Sequence, residues 1–238
     1  MIKLMVFDLD GTLTQHKTKL EPANFEALTA LSKKYRLLMA GAGDCMRIFN
    51  QLGQFPIDII GNYGMQSGRY DEEQKTLVIE RNSSMPCDRE SVEKRVNMLR
   101  EKYGFTEYAG DSVQYHASGC VTFAILGTKA KQEDKLAFDP DRSRRRPIYP
   151  EVCEVFPEYN VFVGGSSSFD MAPKPYNKAY ALAEYCKEHG FAPDEVVFVG
   201  DDYGPGGNDE SVYLSDFGFL KIDDYRTFPQ LVKEAGLL

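Results

Sequence analysis

The sequence lacks three features that would place it in common classes of protein: a long apolar run, an excess of positive charge and closely paired cysteines. No apolar stretch among the 238 residues is long enough to span a bilayer. A formal net charge of −8 argues against a basic nucleic-acid-binding face, and the one basic cluster, at 142–146, is interpreted as a solvated loop. We therefore expect no membrane and no nucleic-acid partner.

The cysteines and the N-terminal residues indicate a compartment. The five cysteines include no Cys-x-x-Cys pair, which favours reduced, mostly buried thiols over a disulfide framework or a zinc site. The first residues enter a predicted strand that acidic residues follow, which is not the pattern of a signal peptide. We expect a cytoplasmic protein.

What the sequence does contain is a regular alternation of predicted strands and helices. Apolar runs at 2–7, 36–40, 57–60, 196–199 and 217–222 predict buried strands. Segments with apolar residues at helical spacing lie between most of these strands. Strands alternating with helices are typical of an α/β protein with a doubly wound parallel sheet.

Residues 84–172 have a different pattern, with a hairpin at 112–126, charged helices and a further strand predicted at 161–171. Hairpins and helices in this arrangement indicate a small antiparallel α+β module inserted into the sheet. We therefore predict two domains, a discontinuous core formed by 1–83 and 173–238 and an inserted domain at 84–172.

Two carboxylates follow the first predicted strand, in the sequence Asp8-Leu9-Asp10-Gly11. In an extended chain residues i and i+2 point the same way, so both are expected at the sheet edge where α/β proteins bind ligands. Carboxylates this close repel each other unless a proton or a cation lies between them. In one interpretation Asp8 is a nucleophile that becomes an aspartyl phosphate, and Asp10 is the acid and base. In the other, this is an acidic turn in which Asp10 caps a helix.

A second buried strand also ends in carboxylates, and a glycine-rich turn then brings further polar residues back toward its end. Neighbouring strand ends that carry acids can share one Mg²⁺, which prefers oxygen ligands. The predicted metal ligands are Asp8, Asp10 (through its backbone carbonyl), Asp201, Asn208 and Asp209. A calcium loop fits this stretch less well, because an EF-hand would require Glu where this chain has Val212.

Lys178 lies in the first turn of the helix that precedes this second strand. An ammonium group there would balance Asp8 and hold a phosphoryl oxygen. Lys174 is the neighbouring alternative, but Lys178 begins the apolar pattern of the helix. The order Asp-x-Asp, Lys, Gly-Asp-Asp predicts that Lys178 is the cationic group of a phosphoryl-transfer site.

These motifs resemble those of the haloacid-dehalogenase-like (HAD) phosphotransferase superfamily, and more closely its eukaryotic-type phosphomannomutase branch. The resemblance rests on the stretches 8–14, 42–53, 164–170 and 200–209. It implies a Rossmannoid HAD core with an inserted α+β cap that closes over a sugar phosphate. It also implies that Ser168 and Asp170 of the cap contact the substrate, and that a homodimer through the cap is one expected arrangement.

One departure from this branch concerns the phosphoryl group. The family normally has Ser or Thr after the second core strand to donate a hydrogen bond to it, and this chain has Gly43 at that position. The backbone N–H groups of Gly41, Ala42 and Gly43, close to a helix N-terminus, are the predicted replacement.

A second departure concerns the cap. The mutases hold a second phosphate with arginines there, and this chain has Ala117, Thr128 and Lys135 at three of those positions. Lysine is a point charge and does not replace the bidentate fork of arginine. A bisphosphate is therefore not expected to turn over inside the site.

The sequence thus predicts a Mg²⁺-dependent phosphatase that acts through an aspartyl phosphate on a small phosphorylated metabolite, with a sugar phosphate expected. Two alternatives stay open, a hexose-phosphate mutase and a catalytically weak sugar-phosphate-binding protein. A signalling receiver fits less well, because its phospho-acceptor would follow the third strand, where this chain has Ile60-Gly61-Asn62 and no acid.

Overall fold

The structure is a computed structural model that covers residues 1–238, and it contains two compact units. The core unit consists of Met1–Ser83, Asn177–Gly204 and Asp209–Leu238. The insert unit consists of Ser84–Tyr176 and Pro205–Asn208.

The chain forms eleven strands and eight α-helices. In chain order the strands are β1 (Leu4–Phe7), β2 (Arg36–Ala40), β3 (Asp58–Gly61), β4 (Gln66–Asp71), β5 (Thr76–Asn82), β6 (Val113–Tyr115), β7 (Val121–Ala124), β8 (Tyr159–Phe162), β9 (Ser168–Pro173), β10 (Val196–Gly200) and β11 (Gly218–Lys221). The helices are α1 (Pro22–Leu31), α2 (Cys45–Gln51), α3 (Arg89–Tyr103), α4 (Gln132–Phe138), α5 (Tyr149–Val155), α6 (Lys178–His189), α7 (Glu210–Tyr213) and α8 (Phe228–Glu234). None of these helices has both the length and the apolar character needed to cross a membrane.

A seven-stranded sheet in the order β11-β10-β1-β2-β3-β4-β5 forms the centre of the core unit. The pairings from β11 through to β3 are parallel, and the β4–β5 hairpin extends the sheet in antiparallel fashion. β1 lies between β10 and β2, and all four of its residues are fully buried. Burial on both faces explains why its sequence is a continuous apolar run instead of an alternating one.

Helices cover both faces of this sheet. β1 contributes Met5 and Phe7 to an apolar cluster that α1, α2 and α8 complete. It contributes Leu4 and Val6 to a second cluster, with α6 and α7. The two-residue period of the strand therefore divides its side chains between two cores. The predicted α/β fold with a parallel central sheet is confirmed.

The insert unit has its own four-stranded antiparallel sheet, in the order β6-β7-β9-β8. Its apolar cluster includes Val96 of α3 and Val152 of α5, packed with Phe123 and Phe169 of the sheet. The unit extends from Ser84 to Tyr176 and takes in the turn at 205–208, whereas the sequence predicts an inserted domain at 84–172.

The single strand predicted for 161–171 is wrong, because this stretch forms the end of β8, a turn and most of β9. The turn contains Gly164 and Gly165, and Gly165 has a φ of +48°, which favours glycine. A Cβ atom at Gly164 would lie 1.9 Å from a carboxylate oxygen of Asp170. Both glycines are needed for the chain to reverse here, and the apolar residues on either side concealed the reversal in the sequence.

Candidate active site

Three carboxylates meet at the carboxyl end of the parallel sheet. Asp8 directly follows β1, Asp201 directly follows β10, and Asp209 precedes α7. One oxygen atom from each lies within 4.8 Å of the others. The backbone N–H of Asp8 still donates to the carbonyl of Val199 at 3.0 Å, so the β1–β10 pairing continues into the site. This group, called the acidic group below, offers only oxygen ligands.

Lys178 is the cation of the acidic group. Its side chain is 1 % exposed, and its Nζ donates to Asp8 Oδ1 at 2.5 Å and to Asp209 Oδ1 at 2.7 Å. Asn177 caps α6 by accepting from the N–H of Tyr180 at 2.8 Å, which fixes Lys178 as the first helical residue. The lysine preferred from the sequence is therefore the one that contacts Asp8.

One ammonium group does not balance three carboxylates, and the pKa values of the group reflect this. Burial raises the pKa of Asp8 well above its usual range, and Asp209 and Asp201 add to the effect although Lys178 opposes it. Burial and the charge of Asp209 raise the pKa of Asp201 to about 7. Burial also raises the pKa of Asp209. Burial would lower the pKa of Lys178, but Asp209 and Asp8 raise it above the usual lysine range.

Asp201 is held by two residues of the Asp-Gly-Thr motif. Thr12 Oγ1 donates to Asp201 Oδ1 at 2.8 Å. Gly11 has a φ of +100°, and a Cβ atom there would lie 2.4 Å from Asp201 Oδ2, so only glycine fits. The sequence prediction assigned no role to Thr12, although its place beside the two aspartates was the available signal.

Asp10 does not join the acidic group through its carboxylate, contrary to the expectation that the Asp8 and Asp10 side chains face one point. Its Oδ1 accepts from the N–H of Lys17 and from Gln51 Nε2, both at 2.7 Å. Its Oδ2 lies 3.4 Å from Arg47 Nη1. Burial alone would raise the pKa of Asp10, but these hydrogen bonds and the neighbouring cations lower it below its usual value.

The predicted phosphate-binding backbone of Gly41 to Gly43 is only partly available. The N–H of Gly41 donates to the carbonyl of Ile60 at 2.9 Å, as part of the sheet, so the prediction for Gly41 is wrong. The N–H groups of Ala42 and Gly43 make no hydrogen bond within the protein. Two amide groups therefore remain where the sequence predicts three.

The first N–H groups of α2 are also occupied. The N–H of Cys45 donates to Gln66 Oε1 at 2.7 Å. The capping residue Asp44 accepts from Met46 and Arg47 through Oδ1, at 2.9 and 3.1 Å. The N–H groups of the first turn of α2 are thus satisfied by protein groups, whereas the N–H of the capping residue Asp44 itself makes no hydrogen bond within the protein.

Three further predicted site residues, Ser168, Asp170 and Asn208, belong to the insert unit. Asp170 Oδ1 accepts from Thr122 Oγ1 at 2.9 Å, and burial raises the pKa of Asp170. Ser168 Oγ donates to the carbonyl of Gly164 at 3.1 Å and lies 3.4 Å from Asp170 Oδ1. Ser168 and Asp170 therefore form one polar cluster in the insert unit.

Solved structures with the same fold include several phosphoryl-transfer proteins. An IMP-nucleotidase of Plasmodium falciparum aligns with a TM-score of 0.70 and 16 % identity, over 100 % of this chain and 68 % of that one. A phosphatase of the HAD superfamily from Bacteroides thetaiotaomicron aligns with a TM-score of 0.63 and 16 % identity, over 100 % and 96 % of the two chains. This chain therefore has the same fold as these solved structures, with three aspartates and a lysine at the carboxyl edge of its sheet.

Relatives with similar sequences show the family to which this chain belongs. A family model described as eukaryotic phosphomannomutase matches residues 25–219. The phosphomannomutase of Encephalitozoon cuniculi is 25 % identical over an alignment 265 residues long, gaps included, which covers 98 % of this chain and 95 % of the relative. That of Dendrobium officinale is 25 % identical over 221 residues, covering 90 % and 85 %. The chain belongs to the eukaryotic phosphomannomutase family.

Proposed function

We propose that this chain is a Mg²⁺-dependent phosphatase that hydrolyses a small phosphorylated metabolite, a sugar phosphate, through an aspartyl phosphate on Asp8. The observation that carries the proposal is the contact of Asp8 with Lys178 inside the acidic group. A carboxylate held by a buried ammonium is positioned to attack phosphorus, because the positive charge of the ammonium offsets the repulsion between the carboxylate and an anionic substrate.

The acidic group fits a divalent cation. Three carboxylates and one ammonium leave two negative charges uncompensated, and all the ligand atoms are oxygens, which Mg²⁺ prefers. The residues that would hold it are Asp8, Asp201 and the backbone carbonyl of Asp10, supported by Asp209 and Asn208. A supporting role suits Asp209, because its oxygens already accept from Lys178 and from the N–H of Asp202 at 3.0 Å. When bound, the ion would neutralise charge on the phosphoryl group.

The proposed reaction has two steps. In the first, a carboxylate oxygen of Asp8 bonds to phosphorus, the bond from phosphorus to the ester oxygen breaks, and Asp10 gives that oxygen a proton. In the second, Asp10 takes a proton from water as the water oxygen bonds to phosphorus. The bond from phosphorus to the Asp8 oxygen breaks, which regenerates the Asp8 carboxylate and releases inorganic phosphate. Lys178 keeps Asp8 in place throughout. The pKa of Asp10 is low before substrate binds, and an adjacent phosphoryl anion would raise it toward the acid role.

Three residues of the insert unit favour hydrolysis over transfer of the phosphoryl group to a second hydroxyl. Ala117, Thr128 and Lys135 stand where the resemblance places phosphate-binding arginines, and none carries a guanidinium. The Nζ of Lys135 donates to the backbone carbonyl of Thr128 at 3.2 Å. Without a bidentate cation at these positions, support for a second phosphate is weak.

The second candidate function is a hexose-phosphate mutase. Membership of the phosphomannomutase family is the observation that favours it. A mutase would depend on a bisphosphate activator and would keep the phosphoryl group, so the two functions differ in their products.

The test is incubation of the protein with Mg²⁺ and a panel of sugar phosphates, including glucose 1-phosphate and mannose 1-phosphate with their 1,6-bisphosphates. Phosphate release and isomer formation are measured separately. Asp8→Asn is expected to abolish phosphate release, whereas Asp194→Asn, the same change at an exposed position, should leave it unchanged. Isomer formation without phosphate release would select the mutase. Neither product, together with tight substrate binding, would select a sugar-phosphate-binding protein.

A further inference from the structure

The segment between β2 and α2 offers few hydrogen-bond donors to a phosphoryl group. Its hydroxyl-free sequence contributes no side-chain donor before Arg47. The amides of Gly41 and of the first turn of α2 have protein acceptors, which leaves the N–H groups of Ala42, Gly43 and Asp44. A phosphoryl group carries three oxygens with substantial negative charge, so these neutral donors alone satisfy it poorly.

Arg47 lies directly beside this segment. A Cβ atom built on Gly43 would be 2.0 Å from Arg47 Nη2 and 2.5 Å from its Nε, so the guanidinium occupies the space that any larger residue at position 43 would fill. The Arg47 Nη1 donates to Gln51 Oε1 at 2.9 Å, which fixes one side of the group. The absence of a side chain at position 43 is therefore what admits the guanidinium.

The guanidinium is only partly used by the protein. Both hydrogen-bond contacts of the guanidinium are made by Nη1, with Gln51 Oε1 at 2.9 Å and with Asp10 Oδ2 at 3.4 Å. Nε and Nη2 have no protein acceptor, and the side chain is 41 % exposed. The N–H groups of Nε and Nη2 form a parallel pair that matches two oxygens of a phosphate.

We propose that Arg47 binds the phosphoryl group of the substrate through Nε and Nη2, beside the amides of Ala42 and Gly43. The proposal rests on the proposed function, in which Asp10 protonates an oxygen bonded to phosphorus. Since Arg47 already contacts Asp10, that phosphorus lies within reach of the guanidinium. A charged donor pair thereby takes the part that a hydroxyl would otherwise play at this strand end.

The test is the affinity for inorganic phosphate, measured by isothermal titration calorimetry in the presence of Mg²⁺. Charge-assisted hydrogen bonds of this kind correspond to roughly a 10- to 100-fold effect, and Arg47→Ala is expected to weaken binding by that factor. Arg47→Lys should recover only part of it, because an ammonium lacks the fork. Arg226→Ala is the matched control, since Arg226 is 69 % exposed and paired with Asp224, and it should bind as the wild type does.

Two outcomes would overturn the proposal. One is a wild-type protein that does not bind phosphate, and the other is an Arg47→Ala variant that binds it as tightly as the wild type. If that variant also turns over sugar phosphates more slowly, Arg47 is assigned to the positioning of Asp10 instead. Phosphate affinity does not depend on turnover, so a failure of the proposed hydrolysis is read separately, from the wild-type activity assay.

Discussion

Asp201 is surrounded by groups that disfavour its negative charge. Burial and the neighbouring Asp209 raise its pKa to about 7, against only a single hydrogen bond from Thr12 and a more distant Lys178. The folded protein therefore binds a proton at Asp201 more tightly than the unfolded chain does. As the pH rises from about 4 to about 7, ionisation of this residue lowers the free energy of unfolding, and above pH 7 the whole cost is present.

Asp201→Asn should remove this cost in the metal-free protein. The variant keeps an oxygen for Thr12 and loses the charge, so we expect a gain of about 1–4 kcal/mol at pH 8 and little gain at pH 4. Urea unfolding at the two pH values without divalent cations measures it. Asp194→Asn, at an exposed position, should change neither value. An equal increase in the free energy of unfolding at both pH values would mean that the increase does not come from removing the charge of Asp201.

The residues that converge on the site differ in how far the sequence could predict them. Asp8 and Asp201 are predictable in position because strand ends in a parallel sheet lie at one edge, and Lys178 because the helix that leads into β10 begins at that same edge. The direction of the Asp10 carboxylate was not predictable, because it depends on donors from Lys17 and Gln51 in other segments. The sequence did not identify Arg47 for a related reason. Its guanidinium lies in the space left by the missing side chain of Gly43, and that space exists only in the folded chain.

At the scale of elements, Arg145 connects two segments of the insert unit. Its guanidinium is fully buried, with Nε donating to Asp139 Oδ2 at 2.7 Å. Nη1 donates to the carbonyl of Gly164 at 2.5 Å and to that of Ser168 at 2.8 Å. The turn between β8 and β9 is thus held by a side chain that no local pattern identifies.

Arg145→Met should destabilise the protein by about 3–5 kcal/mol, because Asp139 would stay buried without its cation and the carbonyls of the turn would lose their donor. Arg69→Met removes an exposed ion pair with Glu80 and should destabilise the protein far less, because solvent-exposed ion pairs contribute little to stability. Urea unfolding of both variants provides the comparison. A loss for Arg145→Met no larger than that for Arg69→Met would show that water replaces the arginine.

The whole molecule has separate apolar clusters for its two units. The cluster of the insert unit draws its buried side chains from residues 92–171 alone. The fragment 84–176 lacks one backbone contact of the complete unit, the hydrogen bond from Val163 N–H to the carbonyl of Gly206 at 2.7 Å. Most of what holds this unit together is therefore present in the continuous fragment.

We expect the fragment 84–176 to unfold cooperatively, with a free energy of unfolding of a few kcal/mol. Thermal unfolding followed by circular dichroism, with the dispersion of amide NMR signals at low temperature, measures this. Phe123→Ala removes a fully buried ring that stacks on Phe169 and should cost about 3–5 kcal/mol, enough to unfold the fragment. A gradual, non-cooperative transition of the parent fragment would contradict the expectation.

The position of β1 between β10 and β2 also sets the order in which the protein becomes competent during translation. β2 is made soon after β1, but β10 is made only after the whole stretch Ser84–Tyr176 of the insert unit, and the edge of β1 that pairs with β10 has no partner until then. An unpaired apolar edge is prone to association with other chains, so the nascent protein depends on shielding of this edge until β10 has been made. Asp8 is made long before Asp201 and Asp209, and a chain interrupted anywhere before residue 209 has no complete acidic group.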